Sequence, residues 1–215
     1  MRSHRSRVIV ADDHTLIAEL CQRLLASEFD VVSIVGDGRS LVREVGRLKP
    51  DLVLVDIAMP ILNGLDAGEQ VKKDWPAIKL LYLTVNLDPQ VAAEAFRRGA
   101  SGYLLKTCAS SELVTAVREV LRGYTYVSRG LPNDEINFLR RQNTESAERE
   151  QRLTERQREV LQLLAEGKGM KEVGVALKMT TRTVAFHKYR IMEKLGAKSG
   201  AELVRYAVRK HIVAA

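Results

Sequence analysis

The sequence predicts an α/β domain built on a doubly wound parallel sheet, followed by a smaller all-α domain. Three observations carry this. Within the first 122 residues, five short apolar runs alternate with helical patterns. Such near-continuous apolar strands belong to a parallel sheet covered on both faces. Charge is then unevenly spread: residues 1–122 hold 16 basic and 16 acidic side chains, whereas residues 152–215 hold 14 basic against 6 acidic. The excess of the +7 chain therefore lies in its last third, which suits a domain facing a polyanion. Finally, "RRQNTESAEREQR" (140–152) lacks large apolar residues and has the composition of a solvated linker. The expected organisation is a domain at 1–123, a linker at 124–151 and a second domain at 152–215, with "LPNDEINFL" as a possible short helix.

The expected strands are "VIV" (8–10), "VVSIV" (31–35), "LVLVDI" (52–57), "KLLYLT" (79–84) and "GYLLK" (102–106). Runs of β-branched and large apolar residues of this length favour buried strands. Between them lie helix patterns near 14–25, 40–48, 64–73 and 88–98, with another after 110. Leu16, Ile17, Leu20, Cys21, Leu24 and Leu25 show the helical spacing most plainly. Five strand–helix units in a chain of this size fit a flavodoxin-like five-stranded sheet. Such sheets place their sites at the carboxyl ends of the strands.

Those carboxyl ends are rich in chemistry. Strand one ends at Asp12 and Asp13, strand three at Asp56, strand four at Thr84 and strand five at Lys106. Three carboxylates, a hydroxyl and an ammonium thus converge on one edge. Clustered carboxylates call for a hard cation, and Mg²⁺ takes oxygen ligands while keeping waters. Beside a metal, one carboxylate can attack a phosphoryl group as a nucleophile. Lys106 and Thr84 supply the positive and hydroxyl partners that phosphoryl oxygens need.

"ADD" after strand one, "DIAMPILNG" around Asp56, Thr84 and "YLLKT" together resemble the receiver domain of bacterial two-component response regulators, over about residues 7–122. The resemblance implies that Asp56 is the phosphoacceptor. It implies Asp13, Asp56 and the backbone carbonyl of Ala58 as Mg²⁺ ligands, with Asp12 acting largely through water. Thr84 and Lys106 would hold the phosphoryl group, and Tyr103 matches the aromatic that changes rotamer with Thr84. Ala58 and Asn86 occupy positions that tune phosphate lifetime in this family.

Other features carry less. "GDGRS" (36–40) lacks the spacing of a phosphate loop and is expected to be a turn capped by Ser40 before a helix. Cys21 and Cys108 lack metal-ligand spacing, and Cys21 is expected in the core. No stretch reaches the roughly 18 apolar residues of a membrane helix, so the chain is expected in the cytoplasm, away from membranes.

The tail shows four helix patterns. Leu153, Val160, Leu161 and Leu164 mark the first, with Thr154 as N-cap and Gly167 as stop. "KEVGVAL" (171–177) is a short second helix, and "KMTTRTV" turns into a third from about Arg182 to Leu195. "AELVRYAVRKHI" (201–212) is the fourth. A short helix, tight turn and longer helix in a basic domain read as helix-turn-helix, whose second helix enters the major groove of double-stranded DNA. With Val184 as buried pole, Ile191 and Leu195 fall beside it at 100° per residue. Arg182, Ala185, Phe186, Tyr189, Arg190 and Glu193 point away or flank; all of these but Glu193, with Thr183, His187 and Lys188, form the expected DNA-binding set. His187 is expected to be packed or to touch a phosphate.

"LTERQREVLQLLAEGKGMKEVGVAL", "TRTVAFHKYRIMEKLGAKS" and "AELVRYA" resemble the LuxR-type DNA-binding domain. Joined to a receiver, this resembles a response regulator of the NarL/FixJ type. Ala185 stands where a groove lysine is common and Gly200 where an arginine is common, while "GM" (169–170) replaces the usual Ser-Asn. The resemblance implies a transcriptional regulator switched by phosphoryl transfer from a histidine kinase to Asp56, dimerising through its last helix. No enzyme is expected. An aspartate-nucleophile phosphohydrolase would need a substrate pocket and would leave the basic tail without a role. The other alternative is a regulator that binds DNA without phosphorylation, its receiver a dimer scaffold; the full acid, threonine and lysine set argues against it.

Overall fold

In the computed structural model, residues 5–141 and 153–213 are described. The chain forms two compact units. The first carries β1 (Arg7–Ala11), α1 (Thr15–Leu25), β2 (Asp30–Val35), α2 (Gly38–Leu48), β3 (Leu52–Val55), α3 (Gly64–Asp74), β4 (Lys79–Thr84), α4 (Pro89–Arg97), β5 (Gly102–Leu105) and α5 (Ser110–Leu121). All five expected strands are present and every pairing is parallel. Strand order is β2-β1-β3-β4-β5, the flavodoxin-like order.

The sheet has six strands, not five. Tyr126–Val127 forms β6 and pairs in parallel with Gly102 and Tyr103 of β5. Two residues give no periodicity to recognise, and β6 is held by its partner: the Tyr126 and Ser128 amides donate to the Ser101 and Tyr103 carbonyls at 3.2 and 2.9 Å. A helix α6 (Asn133–Arg141) follows and packs on α4, with Ile136 buried. The stretch expected as linker thus holds a strand and a helix in its described part, while 142–151 lies outside the described residues.

The core follows from residue type. Val8, Val10, Leu52, Leu54, Leu81, Leu83 and Leu104 project from the strands onto Ala18, Cys21 and Leu25 of α1 and Leu113, Ala116, Val117 and Val120 of α5. Cys21 is plain core, and burial pushes its thiol up to about 12. At each fully buried leucine or valine, burial contributes roughly 1.5–3 kcal/mol. The turn before α2 is capped by Asp37, not Ser40: its carboxylate accepts the Ser40 amide at 2.8 Å and the Ser40 hydroxyl at 2.7 Å. The acid sits one residue before the first helical amide, where a side-chain acceptor reaches the unpaired donors.

The second unit carries α7 (Glu155–Ala165), α8 (Met170–Leu177), α9 (Thr181–Leu195) and α10 (Gly200–Arg209). Thr154 and Gln157 close a reciprocal capping box at α7, a start signal readable from the sequence. Gly167 and Gly196 take positive φ at +84° and +64°, ending α7 and α9 as expected of glycine. Val160, Leu161, Leu163, Val173, Leu177, Val184, Ile191, Leu203 and Ala207 form its core.

Candidate functional site

The β1–β3 pairing aligns Ala11 with Val55, so Asp12 and Asp56, one residue further on, emerge side by side. This is the topological switch point, since β1 lies between β2 and β3 and the connections leave it in opposite directions. Asp56 is anchored by its own amide, which donates to the Ala11 carbonyl at 2.8 Å. Asp12 and Asp56 are buried and Asp13 is partly exposed. Thr84 closes β4, and the Lys106 amide donates to the Thr84 carbonyl at 2.8 Å.

Side chains complete the cluster. Lys106 Nζ lies 2.7 Å from Asp12 Oδ2 and 3.0 Å from Asp56 Oδ2. Burial works against the lysine charge, but the Asp12 hydrogen bond and the Asp56 charge outweigh it, so its pKa is raised. Burial raises the Asp56 carboxyl; Lys106 offsets this only in part, as does an Ala58 amide donating to it, and the Asp12 charge adds to the rise. Three carboxylates face one ammonium, so the site carries excess negative charge. Asp12, Asp13, His14 and Asp56 each offer a ligand atom within 4.8 Å of the others. Apart from the ammonium, Asp12 Oδ2 has no hydrogen-bond partner among the described residues. A hard divalent cation fits this oxygen-rich set.

His14 was not singled out by the sequence. Its amide donates to Asp12 Oδ1 at 2.9 Å and its Nδ1 lies 2.9 Å from Asp13 Oδ1. Adjacency to the acid pair was the only available signal.

Tyr103 is fully buried rather than solvent-facing, and its hydroxyl donates to the Asn86 carbonyl at 3.0 Å. Burial, with the charges of Asp88 and Asp56, raises its pKa, against a Thr84 hydrogen bond. The Asn86 amide in turn donates to Thr84 Oγ1 at 3.1 Å. Thr84, Asn86 and Tyr103 therefore form one connected polar chain running from the end of β4 to β5.

In the second unit, α9 begins at Thr181, one residue before the expected Arg182, and is capped by Thr180, whose hydroxyl accepts the Thr183 amide at 3.1 Å. Val184 and Ile191 are buried, while Arg182, Thr183, Phe186, Tyr189 and Arg190 are exposed. Ala185, His187 and Lys188 are half-buried. Arg182, Phe186, Tyr189 and Arg190 thus share the face opposite the core, Thr183 and Ala185 flank it, and His187 and Lys188 lie beside the buried stripe.

Two family profiles match the chain: the response regulator receiver domain over residues 8–118 and the bacterial regulatory proteins of the luxR family over residues 151–207. The oxygen regulatory protein NreC of Staphylococcus aureus (strain MRSA252) is 35% identical over 96% of this chain and 99% of that protein. A LuxR-family two-component response regulator from Aurantimonas sp. SI85-9A1 is 29% identical, covering 63% of this chain and 98% of its own, with TM-score 0.59. A structure of two RcsB dimers bound to two parallel DNAs is 25% identical over 94% of this chain and 97% of its own, with TM-score 0.55.

The chain belongs to the two-component response regulators that join a receiver domain to a LuxR-type DNA-binding domain. It is a phosphorylation-dependent transcriptional regulator of the NarL/FixJ type.

Proposed function

We propose that Asp56 accepts the phosphoryl group, that the donor is a phosphohistidine of a histidine kinase, and that the output is altered dimerisation and binding of promoter DNA by α9. The observation that carries this is the position of Asp56: a buried carboxylate at the switch point, 3.0 Å from Lys106 and beside Asp12. Its oxygen attacks phosphorus, the O–P bond forms, the N–P bond breaks, and the imidazole leaving group keeps the electron pair and takes up a proton. Asp13, Asp56 and the Ala58 carbonyl would hold Mg²⁺, with Asp12 acting through water. The cation supplies charge neutralisation for the transferring oxygens.

Lys106 and Thr84 are the groups within the site able to bond the new oxygens. Bonding the phosphoryl group draws on the Thr84 hydroxyl, which now accepts from the Asn86 amide. The Asn86 carbonyl that holds Tyr103 moves with that loop. A local charge change thereby reaches β5 and α4. The second domain contacts DNA through Arg182, Thr183, Ala185, Phe186, His187, Lys188, Tyr189 and Arg190. Among the described residues no helix is long and apolar enough to cross a membrane, which supports a cytoplasmic protein.

The test is incubation with acetyl phosphate and Mg²⁺ followed by intact mass. The wild type gains one phosphoryl mass as a base-labile adduct, and Asp56→Asn gains none. Equal labelling of Asp56→Asn rejects the assignment.

A further inference from the structure

Helix α9 presents an aromatic surface where a basic one is usual for nucleic-acid recognition. At 100° per residue from the buried Val184, the outward face is centred on Arg182, Phe186, Tyr189 and Glu193. Phe186 is 58% and Tyr189 69% exposed, although both are large and apolar. Exposed aromatics side by side on one helix are a recognition feature rather than a packing one.

Four polar side chains around them, Thr183, His187, Arg190 and Glu193, are already engaged. Arg190 Nη1 lies 3.0 Å from Glu193 Oε2, and its guanidinium sits 5.7 Å from the Phe186 ring centroid. His187 meets the same ring edge-on at 5.8 Å. Thr183 Oγ1 is 2.8 Å from Thr180 Oγ1, within the helix cap. Phe186 is therefore braced on two sides while its outer surface stays open. Ala185 beside it adds no bulk that would hold a base edge away. Glu193 places an acid in the last turns, which disfavours close approach of phosphates there and leaves the first two turns as the part that enters the groove.

In the major groove only one base-edge group is apolar, the C5-methyl of thymine, and a phenyl ring or an alanine methyl is its natural partner. We infer that Phe186, flanked by Ala185 and Tyr189, reads thymine methyl groups, so that operator preference rests on apolar contact more than on arginine–guanine pairs. This rests on the DNA-binding reading above.

The experiment uses the full chain, phosphorylated with acetyl phosphate and Mg²⁺. Duplexes are first selected from a random library, and each thymine of the best duplex is then replaced singly by deoxyuridine, which pairs identically but lacks the methyl. At one or two thymines per half-site, the wild type should lose about fourfold in affinity, the scale of one buried methyl-sized group. Phe186→Ala should bind with no measurable response at those positions, and Phe186→Leu should keep part of it. Circular dichroism checks that the variants fold, as an exposed side chain permits. A sequence-specific complex indifferent to every deoxyuridine overturns the inference and leaves the DNA reading standing. So does an unchanged response in Phe186→Ala, which would assign methyl reading to another side chain. Absence of binding to any duplex overturns both.

Discussion

Lys106 and Asp12 form an ion pair of 2.7 Å, in which the carboxylate is almost wholly buried and the ammonium nearly so. The same ammonium stands 3.0 Å from Asp56. One cation therefore screens two buried carboxylates from each other's repulsion.

Removing that cation should be costly in a pH-dependent way. Lys106→Met leaves two buried acids uncompensated, a loss on the order of 3 kcal/mol at neutral pH. Burial already raises the Asp56 carboxyl in the wild type, and loss of Lys106 raises it further. A carboxyl with folded pKa above its unfolded value binds more protons when folded, so stability falls as pH rises between the two. The gap in Tm between wild type and Lys106→Met, measured without divalent cations, should therefore widen from pH 4.5 to pH 7. A constant gap would contradict the uncompensated-charge account.

Asp13→Ala should weaken Mg²⁺ binding more than Asp12→Ala. Asp12 is committed to Lys106 and to the His14 amide, whereas Asp13 is partly exposed and faces the cluster. Isothermal titration of each variant checks this. A larger loss in Asp12→Ala would reverse the assignment of direct ligand.

Gly68 is needed because α3 lies directly on a tyrosine. A Cβ there would sit 2.1 Å from the Tyr82 hydroxyl, whose ring is fully buried. Gly68→Ala should destabilise by about 1–3 kcal/mol despite the better helix propensity of alanine. Tyr82→Phe removes the obstructing oxygen, so Gly68→Ala should cost less on that background. Chemical denaturation of the four proteins of this cycle measures the coupling.

Binding by the second domain should be dominated by phosphate contacts. Each neutralised phosphate contributes a slope of about −0.9 in log K against log salt. Arg182→Ala, or Lys188→Ala beside the buried stripe, should lower the slope by roughly one if the side chain touches phosphate. Arg190→Ala should change it less, because Arg190 is paired with Glu193. Fluorescence anisotropy over a salt series distinguishes these outcomes.

Amino-acid order alone determined the alternation of five strands with helices, the helix-turn-helix and the candidate site. Asp12, Asp13, Asp56, Thr84 and Lys106 were legible because each follows an apolar run whose length marks where a strand stops, and a parallel sheet brings those ends to one edge. The Thr154 cap and the terminating Gly167 and Gly196 were legible for the same reason: their signals are local. What depended on contacts between distant segments was not. β6 exists through its pairing with β5; the Asp37 cap, by contrast, is a local signal, since an aspartate directly before a helix is a preferred N-cap. His14 joins the carboxylates only once the β1–α1 turn is folded. The burial of Tyr103 and its bond to Asn86 across 17 residues are likewise tertiary. A side chain's type is written in the chain, but its partners are set by packing, which only the folded structure supplies.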